Sequence, residues 1–418
     1  MWLFYGQNPL FAKSSCALKS YSVKINTNNI IGGVNMTIQE KSLAMHEKWQ
    51  GKLEITSKSK VNNKEDLSIA YTPGVAEPCK KIYEDKENAY KYTMKANTVA
   101  VITDGSAVLG LGDIGPEAAL PVMEGKAVLF KEFAGINAIP ICLDTKDVDE
   151  LVKTITYLAP GFGGINLEDI AAPRCFEIEE RLKAILNIPV FHDDQHGTAI
   201  VVLAGIINSL KLVKKKPSEC TVVINGAGSA GIAICKLLLQ KEFSNIIMCD
   251  KLGIIHKDAN WLNWAQTEIS QKTNVHNISG SLSDAFKNAD IFVGVSAPNI
   301  VTEEMISSMN KDSIVFAMAN PVPEIMPDLA KKAGARIVGT GRSDFPNQVN
   351  NVLAFPGIFK GALEGRASQI TEEMKLAVAD ALANMVPTSA ISEENILPMP
   401  FDKGVADAVA KAVISCIR

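Results

Sequence analysis

Two pairs of adjacent acids stand out in this chain of 418 residues. Glu168-Asp169 closes the apolar run Gly163-Gly164-Ile165-Asn166-Leu167, and Asp193-Asp194 follows Ile188-Pro189-Val190-Phe191-His192. Each run reads as a strand. Charged pairs at strand ends are poor core residues, because a buried carboxylate needs a cation or several hydrogen bonds. In an open α/β sheet the strand ends open into the ligand crevice. Carboxylate oxygens converging there, with no Cys nearby, suit a hard divalent ion such as Mg2+ or Mn2+. The plainer alternative has Asp194 capping a helix that starts near Gly197 and Glu168 or Asp169 pairing with Arg174. His192 and His196 flank the second pair and read as packing or supporting residues, not as ligands.

A second site follows. Gly226-Ala227-Gly228-Ser229-Ala230-Gly231 has the G-x-G-x-x-G pattern. A β-branched strand precedes it, a helix follows, and the next strand ends at Asp250, which is the setting a dinucleotide fingerprint requires. The glycines permit a tight turn and close approach of a pyrophosphate to a helix N-terminus. Asp250 would bind a ribose 2′-hydroxyl and so favours NAD; Lys251 beside it would offset a 2′-phosphate, so NADP also stands. A hard metal beside a dinucleotide points to oxidation of a hydroxy acid.

Other residues are ambiguous alone. Lys126 lies in an apolar helical run, and its spacing alone places it on the solvated surface. If it faces the crevice instead, burial lowers its pKa and makes it a base. Tyr71 precedes the Pro73-Gly74 turn and is a packing residue or a proton donor. Asn320, in Ala319-Asn320-Pro321, and Asn350-Asn351 would hold a substrate carboxylate or serve turn geometry.

The elements that must position these residues alternate along the chain. Strands are expected at Thr98–Thr103, Ala138–Leu143, Gly163–Leu167 and Pro189–Phe191. Helices are expected at Lys41–Trp49, Glu117–Phe133, Val148–Leu158 and Arg174–Leu186. The stretch Asn62–Ser68 reads as a polar loop. After an apolar helix at Ala199–Val213, a second series follows, with strands at Thr221–Asn225, Asn245–Cys249, Ile291–Val295, Ser313–Ala317 and Arg336–Gly339. This is an α/β chain of parallel βαβ units. The expected division is an extension over residues 1–35, a first domain over 36–197 and a Rossmann dinucleotide domain over 198–418. The last carries a helical tail from Ile370, interrupted by Pro387, Pro398 and Pro400.

Bulk properties narrow the function. At 47% hydrophobic and 21% charged, with net charge −4, the chain lacks the basic excess of a nucleic-acid binder. The longest apolar run, Ala199 to Leu210, is short for a membrane span. The 8 cysteines are scattered without a CxxC pair, which reads as free thiols in a reducing, cytoplasmic setting. Met1 to Gln39 has no Asp or Glu. It reads as an upstream extension, or as an organelle targeting segment.

Taken together, the motifs resemble malic enzymes of the short bacterial type, from about Met36 to the C-terminus. They are Tyr71-Thr72-Pro73-Gly74-Val75, Thr103-Asp104-Gly105, Leu109-Gly110-Leu111-Gly112-Asp113, Glu124-Gly125-Lys126, Leu167-Glu168-Asp169, His192-Asp193-Asp194, the Gly226–Gly231 loop, Ala319-Asn320-Pro321 and Asn350-Asn351. The resemblance implies an N-terminal malic-type domain and a C-terminal Rossmann domain. It implies oxidative decarboxylation of (S)-malate to pyruvate and CO2 with NAD(P), and decarboxylation of oxaloacetate. It implies Glu168, Asp169 and Asp194 as metal ligands, Asp193 beside Lys126, Lys126 as base and Tyr71 as acid. Asn320, Asn350 and Asn351 would hold substrate, and Asn320 would also meet the dinucleotide. It implies a homodimer or higher oligomer. Larger malic enzymes carry an Arg two residues after Thr-Asp-Gly, where this chain has Ala107. Arg342 is a candidate substitute. A malolactic enzyme, an amino-acid dehydrogenase and a non-catalytic nucleotide module are the competing readings.

Overall fold

The computed structural model describes residues 36–108 and 110–417. The segment 1–35, read above as an extension or targeting segment, and Leu109 of the Gly-rich motif lie outside the described residues. A first unit ending at Gln50 contains the helix Ile38–Trp49. Its start is set by a reciprocal cap: Glu40 N–H donates to Thr37 Oγ1 at 3.2 Å, and Thr37 N–H donates to Glu40 Oε2 at 2.7 Å.

From Gly51 onward the chain carries two sheets. The first comprises β1 (Thr98–Thr103), β2 (Asn137–Cys142), β3 (Gly164–Leu167) and β4 (Val190–His192), in the order β2-β1-β3-β4 and parallel throughout. A parallel strand covered on both faces reads as a continuous apolar run, and β1, Thr-Val-Ala-Val-Ile-Thr, is buried along its whole length. The helices Pro116–Ala134, Val148–Leu158 and Arg174–Ile185 form the connections. The second sheet comprises β5 (Thr221–Asn225), β6 (Asn245–Asp250), β7 (Gly253–Ile254), β8 (Ile291–Gly294), β9 (Ile314–Ala317) and β10 (Ile337–Thr340), in the order β10-β9-β8-β5-β6-β7. All neighbours are parallel except the short β7, which runs antiparallel to β6. The expected α/β plan with a Rossmann-type second sheet is present.

The helix Asp193–Val213 ties the sheets together. It has 21 residues and is apolar enough to cross a membrane by length and composition. Most of it is buried within the protein, in one core with Phe191 of the first sheet, Val222 and Phe316 of the second, and Phe355 and Phe359 of the helix Phe355–Glu364. It begins at Asp193, not at Ala199, because β4 passes into it without a turn. Two acids in its first turn suit the positive end of the helix dipole. The domain junction expected between Gly197 and Thr198 therefore lies inside a helix. The loop expected at Asn62–Ser68 is corrected. Lys64–Ala70 is helical, with Asn63 Oδ1 accepting from Asp66 N–H at 2.9 Å, a capping signal that the polar composition hid. The tail is helical over Glu372–Met385 and Val405–Ser415.

Candidate active site

β3 and β4 are neighbours, with Leu167 opposite His192. The residues that follow them, Glu168-Asp169 and Asp193-Asp194, therefore come side by side. One carboxylate oxygen from each of Glu168, Asp169 and Asp194 lies within 4.8 Å of the others. Asp169 takes φ 53°, the left-handed region that Asp tolerates better than most residues. Its N–H donates to Asp194 Oδ2 at 2.8 Å, and Ala107 N–H donates to its carbonyl at 2.9 Å. Glu168 Oε2 accepts from Asn166 Nδ2 at 2.9 Å. Among the described residues no ion pair joins Arg174 to Glu168 or Asp169. Arg174 instead donates to Asp104 at 3.0 Å and Ser106 Oγ at 2.9 Å.

The cation in the cluster is Lys126. Its Nζ lies 2.7 Å from both Glu168 Oε1 and Asp193 Oδ2. It also sits 4.3 Å from the centre of the Phe355 ring, a cation–π contact. The surface position expected from spacing is wrong. Ala119, Met123, Lys126, Ala127 and Phe130 are the buried residues of this helix and form one stripe at i, i+3 and i+4 spacing. Lys126 is on the core face, and Phe130 anchors that face against Phe355, ring centres 4.7 Å apart.

Burial sets the charges. It pushes the Asp193 carboxyl up to about 7 and that of Asp194 to about 6, in spite of Lys126. Glu168 also rises, through burial and the nearby Asp194. Burial alone would push Lys126 down; Asp193, Glu168 and Asp194 outweigh it and hold the ammonium protonated. Three converging carboxylates with raised or crowded charge, held around one lysine, form a donor set that fits a hard divalent ion.

His192 and His196 are not among the three converging acids, although His192 Nε2 comes within 3.9 Å of Asp194 Oδ2. His192 is fully buried, and desolvation pushes its pKa down against the nearby Glu179 and Glu168. His196 is pushed by burial to about 4. Its Nε2 lies 2.8 Å from Glu179, a residue that sequence reasoning passed over. Glu179 also accepts from His192 N–H at 3.3 Å and pairs with Lys183 at 2.7 Å. Glu179 thus braces the first turn of the helix that carries Asp193 and Asp194. A cavity of about 580 Å³ shares Glu179 and His196 but is lined by none of the four acids.

The dinucleotide fingerprint has the expected form. The helix Ser229–Gln240 starts directly after Gly228. Gly226, at φ 114°, has no room for a side chain, since a Cβ would come 2.5 Å from Val295 O, and at Gly231 one would come 1.7 Å from Gly226 O. A Cβ on Gly228 would meet nothing within 4 Å, so open space lies before the helix N-terminus where a pyrophosphate fits. Ser229 and Ala230 open that helix. Asp250, at the end of β6, accepts from Leu252 N–H at 2.8 Å and from Trp261 Nε1 at 3.2 Å. Lys251 is exposed.

The remaining expected residues divide. Asn351 faces Asp193 and offsets part of its upward shift. Asn350 caps its own turn, its Oδ1 accepting from Val352 N–H at 3.0 Å. Asn320 follows β9. Arg342 is bidentate to Asp344, at 2.9 and 2.7 Å, and donates to Pro321 O at 3.2 Å, so its charge is already matched. Tyr71 is 68% exposed, and no hydrogen bond among the described residues joins it to the cluster.

The family models for the malic enzyme N-terminal domain match residues 50–147 and 144–183, and that for the malic enzyme NAD binding domain matches residues 195–417. A bifunctional malic/malolactic enzyme of Bacillus subtilis is 61% identical over 379 residues, covering 90% of this chain and 92% of that protein. An NAD-dependent malic enzyme of Geobacillus stearothermophilus is 56% identical, covering 92% and 80%. The crystal structure of an NAD-dependent malic enzyme from Thermotoga maritima superposes with a TM-score of 0.87 at 50% identity, covering 89% of this chain and 98% of that one. With both domains matched along nearly the whole described chain, this protein belongs to the malic enzyme family.

Proposed function

We propose that this chain catalyses the divalent-metal-dependent oxidative decarboxylation of (S)-malate to pyruvate and CO2 with reduction of NAD or NADP. One juxtaposition carries the reading: Lys126 Nζ stands 2.7 Å from Glu168, itself one of the three acids whose oxygens converge. Glu168, Asp169 and Asp194 would hold Mg2+ or Mn2+, which when bound supplies positive charge to the substrate oxygen and offsets the carboxylate field that keeps Lys126 protonated. NAD(P) at the Gly226–Gly231 turn supplies the hydride acceptor.

The chain's own residues do the rest. Lys126, as the neutral amine, takes the malate hydroxyl proton, and Asp193 aims its Nζ. Asn320, Asn350 and Asn351 hold the substrate carboxylates through amide N–H groups. Tyr71 gives a proton to C3 of the product and is reprotonated from Lys126. Oxaloacetate, which needs only the second half of this sequence, is also a substrate.

Tyr71 reaches the site from a second copy of the chain. The helices Lys64–Ala70, Ala76–Glu84 and Asn88–Tyr92 bury none of their residues, and Ile55, Ile69 and Tyr83 are 97%, 69% and 93% exposed. A run of exposed apolar residues on one segment marks a surface awaiting a partner. A homodimer covers it and carries each Tyr71 to the other subunit's acids. A reducing, cytoplasmic setting accords with the free thiols of Cys175, Cys235 and Cys249, which burial pushes to about 12.

The test is nicotinamide reduction by purified protein with malate and Mn2+, using NAD+ and NADP+ separately, with and without chelator. Chelator-sensitive reduction with pyruvate formed supports the reading. Lactate without released NADH would establish malolactic chemistry instead. No product would overturn both.

A further inference from the structure

Glu324 is a carboxylate that the proposed chemistry does not use. It is fully buried, and no cation among the described residues pairs with it. Every partner found for its carboxylate is an N–H or O–H donor. Oε1 accepts from Ser296 N–H at 2.9 Å, with Ser296 Oγ at 3.4 Å, and Oε2 accepts from Ala319 N–H at 3.0 Å. Ser296 Oγ in turn accepts from Asn225 Nδ2 at 2.7 Å. Asn225 ends β5, Ser296 follows β8 and Ala319 follows β9, and these three strands are consecutive in the sheet. One buried carboxylate therefore gathers three adjacent strand ends. The strand makes room for it: a Cβ on Gly294 would stand 2.5 Å from the Glu324 carboxyl carbon.

Isolated buried carboxylates are costly, and a packed apolar side chain would fill the space more cheaply. What an apolar residue cannot do is accept from two backbone N–H groups at once and so fix the distance between two loops. Those loops lie at the carboxyl ends of strands where a dinucleotide crosses the sheet. Asp250 assigns the adenosine half to the β6 side, so the nicotinamide half falls over β8 and β9, beside Asn320.

We infer that Glu324 is a positioning residue for the nicotinamide half of the dinucleotide, acting through Ser296 and the Ala319-Asn320 backbone. The inference rests on the proposed dehydrogenase reading, and its test separates the two. Glu324→Gln keeps the size but presents one acceptor oxygen where two are needed, turning an NH2 toward an N–H donor. NADH and NADPH fluorescence titrations should show affinity for the preferred dinucleotide falling about tenfold, the effect of losing one charge-assisted hydrogen bond. Mn2+ affinity, read by electron paramagnetic resonance on the dinucleotide-free protein, should stay within about twofold, because the acid cluster is built on the other sheet.

Ser296→Ala removes the Asn225 link but leaves the backbone N–H in place, so it should lower dinucleotide affinity by less. It also carries the test if the Gln variant does not fold. Unchanged dinucleotide affinity in Glu324→Gln, or in Ser296→Ala where only that variant folds, overturns the inference. So does a joint loss of Mn2+ and dinucleotide binding with a fall in Tm, which would make Glu324 a general scaffold residue. A wild-type protein that binds NADH yet never oxidises malate would overturn the functional reading and leave this comparison intact.

Discussion

Lys126→Met removes the ammonium paired with Glu168 and Asp193 while keeping a side chain of similar length against Phe355. Both lysine contacts are at 2.7 Å, between side chains 8% (Lys126), 5% (Glu168) and 0% (Asp193) exposed, so solvent screens them little. Breaking a buried pair by removing one partner costs about 3–5 kcal/mol. An unfolding entropy of about 2.1 cal/mol/K per residue makes that a fall of roughly 3–6 °C in Tm for a chain of 418 residues. Mn2+ should then raise the variant's Tm by more than it raises the wild type's, since the ion replaces the missing positive charge. Turnover should not recover with it: losing a general base costs about a hundred- to ten-thousandfold in kcat. Scanning calorimetry with and without saturating Mn2+, beside initial rates at the same Mn2+ concentration, separates the two effects. Turnover within tenfold of the wild type would refute the base assignment. A variant that no longer binds Mn2+ would make Lys126 a structural part of the ion site.

Further predictions follow from the same geometry. Asp193 and Asp194 have folded-state pKa values raised to about 7 and about 6. In the ion-free protein they contribute stability that is full below the unfolded carboxylate pKa of about 4 and is lost as pH rises from there through about 6 to 7, so ion-free Tm should fall across that whole range. Mn2+ affinity should rise over it, by about tenfold per unit for each proton displaced; an affinity flat between pH 5 and 7 by isothermal titration would contradict this. Asp194→Asn should abolish the Mn2+-induced rise in Tm while leaving the protein folded by circular dichroism. Glu179→Ala unties His196, Lys183 and the backbone of His192 together. It should lower Tm by several degrees and weaken Mn2+ binding, whereas loss of stability with Mn2+ affinity intact would show that the first helical turn needs no brace. Mixed dimers of Tyr71→Phe and Lys126→Met chains should regain activity absent from either parent, because one site per dimer then has both native groups. No gain on mixing would place Tyr71 in its own subunit's site.

Much of the site was legible because its chemistry is local. Each acid pair directly follows a strand, and parallel neighbours place successive strand ends side by side, so pattern alone brought Glu168, Asp169, Asp193 and Asp194 together. The Gly226–Gly231 turn was legible for a similar reason: a short strand–turn–helix contains all of its geometry. Lys126 was misplaced: its spacing reads as a surface position, in keeping with the usual solvation of lysines, whereas Met123, three residues before it, and Phe130, four after it, share its buried stripe. Glu179 and Glu324 were out of reach for a different reason. Each ties its own segment to one further along the chain: Glu179 reaches His192 and His196, and Glu324 joins nearby Ala319 to Ser296 in the loop after β8. No spacing rule predicts that. The same principle governs Tyr71: a residue whose partners are distant is invisible in sequence, and one whose partners lie on another chain stays apart even in the folded monomer. Its 68% exposure, against the burial of Glu168, Asp169 and Asp193, is what the proposed dimer would explain, with the second copy covering it.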